Sequence, residues 1–163
     1  MYNQADIIEV LQHIPWFLNL KPSQLRQLAA ISTIQTFRKG EVIFHEGESL
    51  ETLYVVIEGE VEIYSQIPSY GRLHILTAEP LDIFGWSALT PIVRHRTGSS
   101  VGAESGSLLC LDAKELITLC NQDHTIGYVI MDRVANVAAS RFLATKLKLM
   151  DVIVRSSHPA VQD

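Results

Sequence analysis

The sequence predicts an α+β fold: a central β-roll, a jelly roll of the double-stranded β-helix type, flanked by N-terminal helices and a long C-terminal helix. Three observations predict it. The hydrophobic period is helical over residues 4–31, switches to two between Thr33 and Asp112, and turns helical again from residue 113. Glycines at 40, 47, 59 and 71 separate strand-like runs spaced about 8–12 residues apart, the rhythm of a sandwich or roll. Residues 126–154 form the longest apolar helical stretch, without proline and without glycine after Gly127. Helices segregated to the two ends of a run of strands define the α+β class.

The elements follow in order. Ile7, Ile8, Leu11 and Ile14 fall on one face of a first helix. Pro15 breaks it, and Pro22-Ser23-Gln24-Leu25 restarts a second with Leu25, Leu28 and Ala29 inward. Ile34 and Thr36, then Glu41-Val42-Ile43-Phe44, Leu53-Tyr54-Val55-Val56-Ile57 and Val61-Glu62-Ile63-Tyr64, read as strands, with each glycine between them at a turn. Residues 113–121 open a helix, 126–154 continue the helical region, and the tail 156–163, with Pro159, is expected to fray.

With 163 residues and 47% hydrophobic side chains, the chain suits one domain over 1–155 with a sizeable core. A net charge of −5 disfavours binding to a polyanion, and only Arg94, Arg96 and the pair Lys146, Lys148 cluster positively. Cys110 and Cys120 sit in apolar surroundings and form no CxxC, which reads as buried reduced thiols in a cytoplasmic protein. No basic start leads into an apolar run after Met1, and no uncharged stretch reaches the roughly 18 residues that span a bilayer, so neither secretion nor membrane insertion is expected.

The chemistry concentrates in Phe84-Gly85-Trp86-Ser87-Ala88-Leu89, followed by Arg96-Thr97-Gly98-Ser99. A glycine turn opening a short helical segment exposes backbone N–H groups, and a following arginine can clamp two oxyanion oxygens. The pattern resembles the phosphate-binding cassette of the cyclic nucleotide-binding domain family. Other pieces carry the resemblance over roughly residues 10–154: Ile14-Pro15-Trp16-Phe17-Leu18-Asn19-Leu20 is similar to the family's entry, Lys39-Gly40-Glu41-Val42-Ile43-Phe44-His45-Glu46-Gly47-Glu48 to its first hairpin, and Leu53 to Val61 to its central strand pair. Leu81-Asp82-Ile83-Phe84-Gly85 approaches the cassette.

The resemblance implies ligand contacts from Gly85, Trp86, Ser87, Ala88, Arg96 and Thr97, and contacts to a nucleotide base from Ser140 and Arg141 on the last helix. The cassette departs from the family in three places. Trp86 stands where a glutamate usually accepts the ribose 2′-hydroxyl, and an indole offers one donor and no acceptor. Pro80-Leu81-Asp82 replaces the usual Gly-Asp. The segment from Arg96 to Ala103 is one residue longer than in the family, so Arg96 fits when aligned forwards from Gly85 and Thr97 takes its place when aligned backwards from Ala103. Arg96 is then either a phosphate clamp or a solvated surface arginine.

The last helix carries two offset apolar stripes, Ile130, Val134, Val137 and Ala144, and Leu143, Leu147, Met150 and Val154. One domain covers one stripe, so a homodimer through residues 126–154 is expected. The resulting reading is a non-enzymatic sensor module with a phosphate-bearing ligand, cyclic AMP and cyclic GMP binding weakly at most. The competing reading is a dimeric module for protein interaction that has lost nucleotide binding. The family's regulators place a DNA-binding domain after this helix; only 12 residues follow Asp151, so no DNA binding by this chain alone is expected. A third, distant reading is a cupin-like metalloenzyme. Its ligand pattern is missing, because His13, His45, His74, His95, His124 and His158 form neither HxH nor HExxH; no metal and no catalytic residue is expected.

Overall fold

A computed structural model describes residues 3–49, 51–93 and 95–157, and for 155–157 the backbone alone. The tail beyond Ser157 and Arg94 of the basic group lie outside the described residues. Contacts divide the chain into two compact units, one ending at Val129 and one beginning at Ile130.

The first unit opens with α1 (Gln4–His13), a 3-10 turn (Pro15–Phe17) and α2 (Pro22–Ala30). Asn3 caps α1: its side chain accepts from the amides of Ala5 and Asp6, while Asp6 Oδ2 accepts from the Asn3 amide at 2.7 Å. Pro22 starts α2 at the position where its missing N–H costs nothing. Ile7, Leu11, Ile14, Leu25, Leu28 and Ala29 are buried, on the faces that the helical period predicts, while Ile8 is half-buried.

Six antiparallel strands follow: β1 (Ser32–Phe37), β2 (Val42–Phe44), β3 (Thr52–Ile67), β4 (Gly71–Ala78), β5 (Ile83–Phe84) and β6 (Ser99–Asp112). They pair in the order β1-β6-β3-β4, with β2 added to β6 and β5 to β3. Phe37, Phe44, Tyr54, Val56, Val61, Ala78, Phe84, Leu108 and Cys110 fill the interior of this β-roll. The long strands β3 and β6, of 16 and 14 residues, replace the uniformly short ones that glycine spacing predicts.

Gly59 is the reason for the difference. It is no turn: the strand runs through it with register shifts on either side, at a bulge. Its φ is +78°, and a Cβ there would press on the Ser105 carbonyl, while a Cβ on Gly106 opposite would overlap the Glu58 carbonyl. The two backbones approach too closely for any side chain, so the sheet bends without breaking.

α3 (Ala113–Gln122) is capped by Asp112, whose Oδ1 accepts from the Glu115 amide. α4 (His124–Ser157) is led by Asp123, which accepts from the amides of Thr125 and Ile126. The buried amide of Gln24 donates to the same carboxylate at 2.8 Å, and this bond is the largest cause holding the Asp123 carboxyl below its usual range. The second unit is the rest of α4. Of its residues, Ile130 and Val134 are buried, whereas Leu143, Leu147, Met150 and Val154 are exposed. No helix among the described residues is long and apolar enough to cross a membrane.

Candidate functional site

Gly85 ends β5 with φ +72°, a left-handed conformation suited to glycine. It leads into a 3-10 helix, Trp86–Leu89, in which the Ala88 amide donates to the Gly85 carbonyl at 3.1 Å. No side chain caps this helix start. Trp86, Ser87 and Ala88 are half-buried, and Leu89 anchors the segment in the core.

Arg96 meets Gly85 from the other side. The loop before β6 is held by an exchange of backbone bonds: the Arg96 amide donates to the Glu48 carbonyl at 2.9 Å, and the Gly47 amide donates to the Arg96 carbonyl at 2.8 Å. From this fixed base the side chain turns inward and is only 5% exposed. Nη2 donates to the Thr52 carbonyl at 3.1 Å. Nη1 packs against Gly85 so closely that a Cβ on the glycine would lie 2.6 Å from it. Gly85 is thus required twice, for its φ and for the room it leaves the guanidinium.

Beneath the guanidinium lies an aromatic shelf. Its Cζ sits 4.2 Å from the Phe44 ring centroid and 5.4 Å from that of Tyr54. Tyr54 stacks on Phe84 at 4.8 Å, and Phe44 lies about equally close to both. Burial lowers the Arg96 pKa and raises that of Tyr54; Tyr54, Glu48 and Glu51 partly restore the arginine's. The guanidinium remains charged at neutral pH. Among the described residues, Nε and Nη1 have no hydrogen-bond partner and no carboxylate lies within ion-pair distance. A buried, charged fork with two unpaired donors is therefore present beside a glycine turn.

The solvated surface arginine is corrected by this geometry, because the loop from Gly47 to Ser49 pins the backbone and drives the side chain in. Thr97 is exposed, and its carbonyl accepts from Ser65 Oγ. The inward-turned side chain beside Gly85 is thus that of Arg96, while Thr97 faces solvent. Gly85, Trp86, Ser87, Ala88 and Arg96 come together. Ser140 and Arg141 lie on α4 in the second unit, the first exposed and the second half-buried. Sequence reasoning misses Phe44, Tyr54 and the Thr52 carbonyl. Tyr54 pairs with Phe84 across β3 and β5, a register that no local motif carries. Only the aromatic at Phe84 beside Gly85 offers a signal.

Comparisons with known proteins agree with this architecture. The model of the cyclic nucleotide-binding domain matches residues 34–123, more than half of the chain. A CRP-like cAMP-activated global transcriptional regulator from Mycobacterium tuberculosis is 35% identical over 78 residues, 47% of this chain and 34% of that protein. The chain thus matches about a third of the length of this curated relative. The N-terminal domain of a transcriptional regulator from Streptomyces coelicolor superposes with a TM-score of 0.65 at 26% identity, covering 83% of this chain and 94% of the other. A cyclic nucleotide-binding domain from Methylobacillus flagellatus gives a TM-score of 0.74 at 19% identity over 91% and 83%, a likeness of fold alone.

Proposed function

The chain belongs to the cyclic nucleotide-binding domain family, a family of regulatory domains, and on that footing we propose that it is a non-enzymatic sensor module whose ligand presents a phosphate to Gly85 and Arg96. The observation that carries the proposal is the buried Arg96 guanidinium with Nε and Nη1 unpaired. Burying an ionised group without partners is costly, and an oxyanion is the partner whose geometry fits a guanidinium fork. The Phe44 and Tyr54 rings exclude water beneath it, so each charge-assisted bond formed there is stronger than at the surface. The amides that open the 3-10 helix add donors on the Gly85 side.

Trp86 divides the site. The phosphate half depends on Gly85 and Arg96, while the sugar half lacks the carboxylate that would accept a ribose hydroxyl. Cyclic AMP and cyclic GMP are accordingly weak ligands, and the preferred one is a phosphate-bearing relative without that demand. The output runs through α4 as a homodimer over residues 126–154, a reading supported by the exposed Leu143, Leu147 and Met150. Trp86 also favours a second reading, a dimeric interaction module that binds no nucleotide.

Calorimetry with cyclic AMP, cyclic GMP and their 2′-deoxy forms tests both. Binding of any of them by the parent protein, lost in Arg96→Ala, supports the sensor. No heat from any of them, in the parent and in Trp86→Glu alike, refutes it in favour of the interaction module.

A further inference from the structure

We propose that the cavity beside α1 is a second small-molecule site, separate from Gly85 and Arg96, and that its ligand is an apolar body ending in an organic ammonium group. The cavity holds about 580 Å³ and lies wholly within the first unit. That volume falls within the roughly 300–1,000 Å³ of small-molecule sites. One wall is a single face of α1, with Asp6, Val10 and His13 at successive turns. The opposite wall is Ile57 of β3 and Leu81.

Leu81 enters this wall from an unusual backbone conformation. Its φ is +73°, in the left-handed region that a leucine rarely adopts. The surrounding turn imposes this conformation: the Leu81 amide donates to the Val56 carbonyl at 2.9 Å, and the Val56 amide donates to the Asp82 carbonyl at 3.0 Å. A glycine would fit the same turn without strain but would remove this wall of the cavity.

The polar groups at the cavity specify the head group. Asp6, whose Oδ2 also caps α1, and Glu9 offer carboxylates, and among the described residues no lysine or arginine lines the cavity. The His13 Nδ1 donates to the Glu9 carbonyl at 2.7 Å, which holds the ring at the mouth. Carboxylates at the mouth repel a carboxylate or phosphate, and a neutral alcohol leaves their charge unmatched. An ammonium has three donors and no acceptor. A metal ion is the poorer match, since no three such side chains among the described residues converge as a metal requires.

Methyl-resolved NMR on the full chain tests the proposal with n-octylamine, n-octanol and n-octanoate as probes. The expected result is saturable shifts of the Val10, Ile14, Ile57 and Leu81 methyls with octylamine, and binding of octanoate at least about tenfold weaker. Glu9→Lys, at an exposed position, should remove most of that preference without touching the core. Leu81→Gly should keep the fold and weaken octylamine binding. Equal binding of the three probes, shifts confined to the exposed leucines of α4, or no shifts at all would overturn the proposal.

Discussion

Replacing Arg96 by methionine separates a ligand-binding arginine from a structural one. Two buried N–H donors without partners cost about 1–3 kcal/mol each. Against them stand one charge-assisted bond to the Thr52 carbonyl, about 1.5–3 kcal/mol, and the contacts over Phe44 and Tyr54, about 0.5–2 kcal/mol. The two sides nearly cancel, and methionine keeps the packing of the stem on Phe44. Arg96→Met should therefore leave the unfolding free energy within about 1 kcal/mol of the parent, a Tm change of about 2–4 °C for a domain of this size. Phosphate binding should behave oppositely. Losing two charge-assisted bonds removes at least about 3 kcal/mol, more than 100-fold in affinity. Urea denaturation of the Met variant and calorimetry of Arg96→Met in the Trp86→Glu background measure the two effects. A stability loss of about 3–5 kcal/mol, the scale of a broken buried pair, would make Arg96 structural and refute the reasoning. Unchanged affinity would refute it equally.

Trp86→Glu should raise the affinity for cyclic AMP about 10- to 150-fold by supplying a charge-assisted acceptor for the ribose hydroxyl, as calorimetry would read. The parent protein should be a dimer at micromolar concentration by light scattering, and Leu143→Glu with Leu147→Glu, both at exposed positions, should give a folded monomer. Burial pushes the Cys110 thiol up to about 12, from an ordinary value near 9. Because the raised pKa favours the neutral thiol in the folded state, its contribution to stability is complete below about pH 9. It is lost as pH rises towards about 12, which urea denaturation at successive pH values would show. Cys110 should also resist a thiol reagent at pH 8 until the protein unfolds.

Much of the fold is legible in the sequence because it rests on local patterns. The switch from helical period to period two near Thr33, and back at Ala113, marks the roll and its flanking helices within a residue or two. Pro15 and Pro22 set helix ends through backbone constraints confined to one turn. Gly85 and the cassette spacing identify a candidate anion site, because a glycine turn and a later arginine are sequence features.

Other facts belong to the tertiary structure alone. Gly59 reads as a turn from its neighbours, and only the close approach of Gly106 from β6 makes it a bulge within one long strand. The register of Arg96 is open in the sequence, since either alignment satisfies the motif. What the tertiary structure adds is the backbone exchange with Gly47 and Glu48, some fifty residues earlier, and the burial of the Arg96 side chain beside Gly85. The shelf of Phe44, Tyr54 and Phe84 draws on three strands, and the wall at Leu81 depends on bonds to Val56. Local periodicity and capping are short-range effects that a sequence displays directly. Which way a side chain turns, and whether its donors find partners, depends on contacts between residues far apart in the chain, and these exist only once the roll has closed.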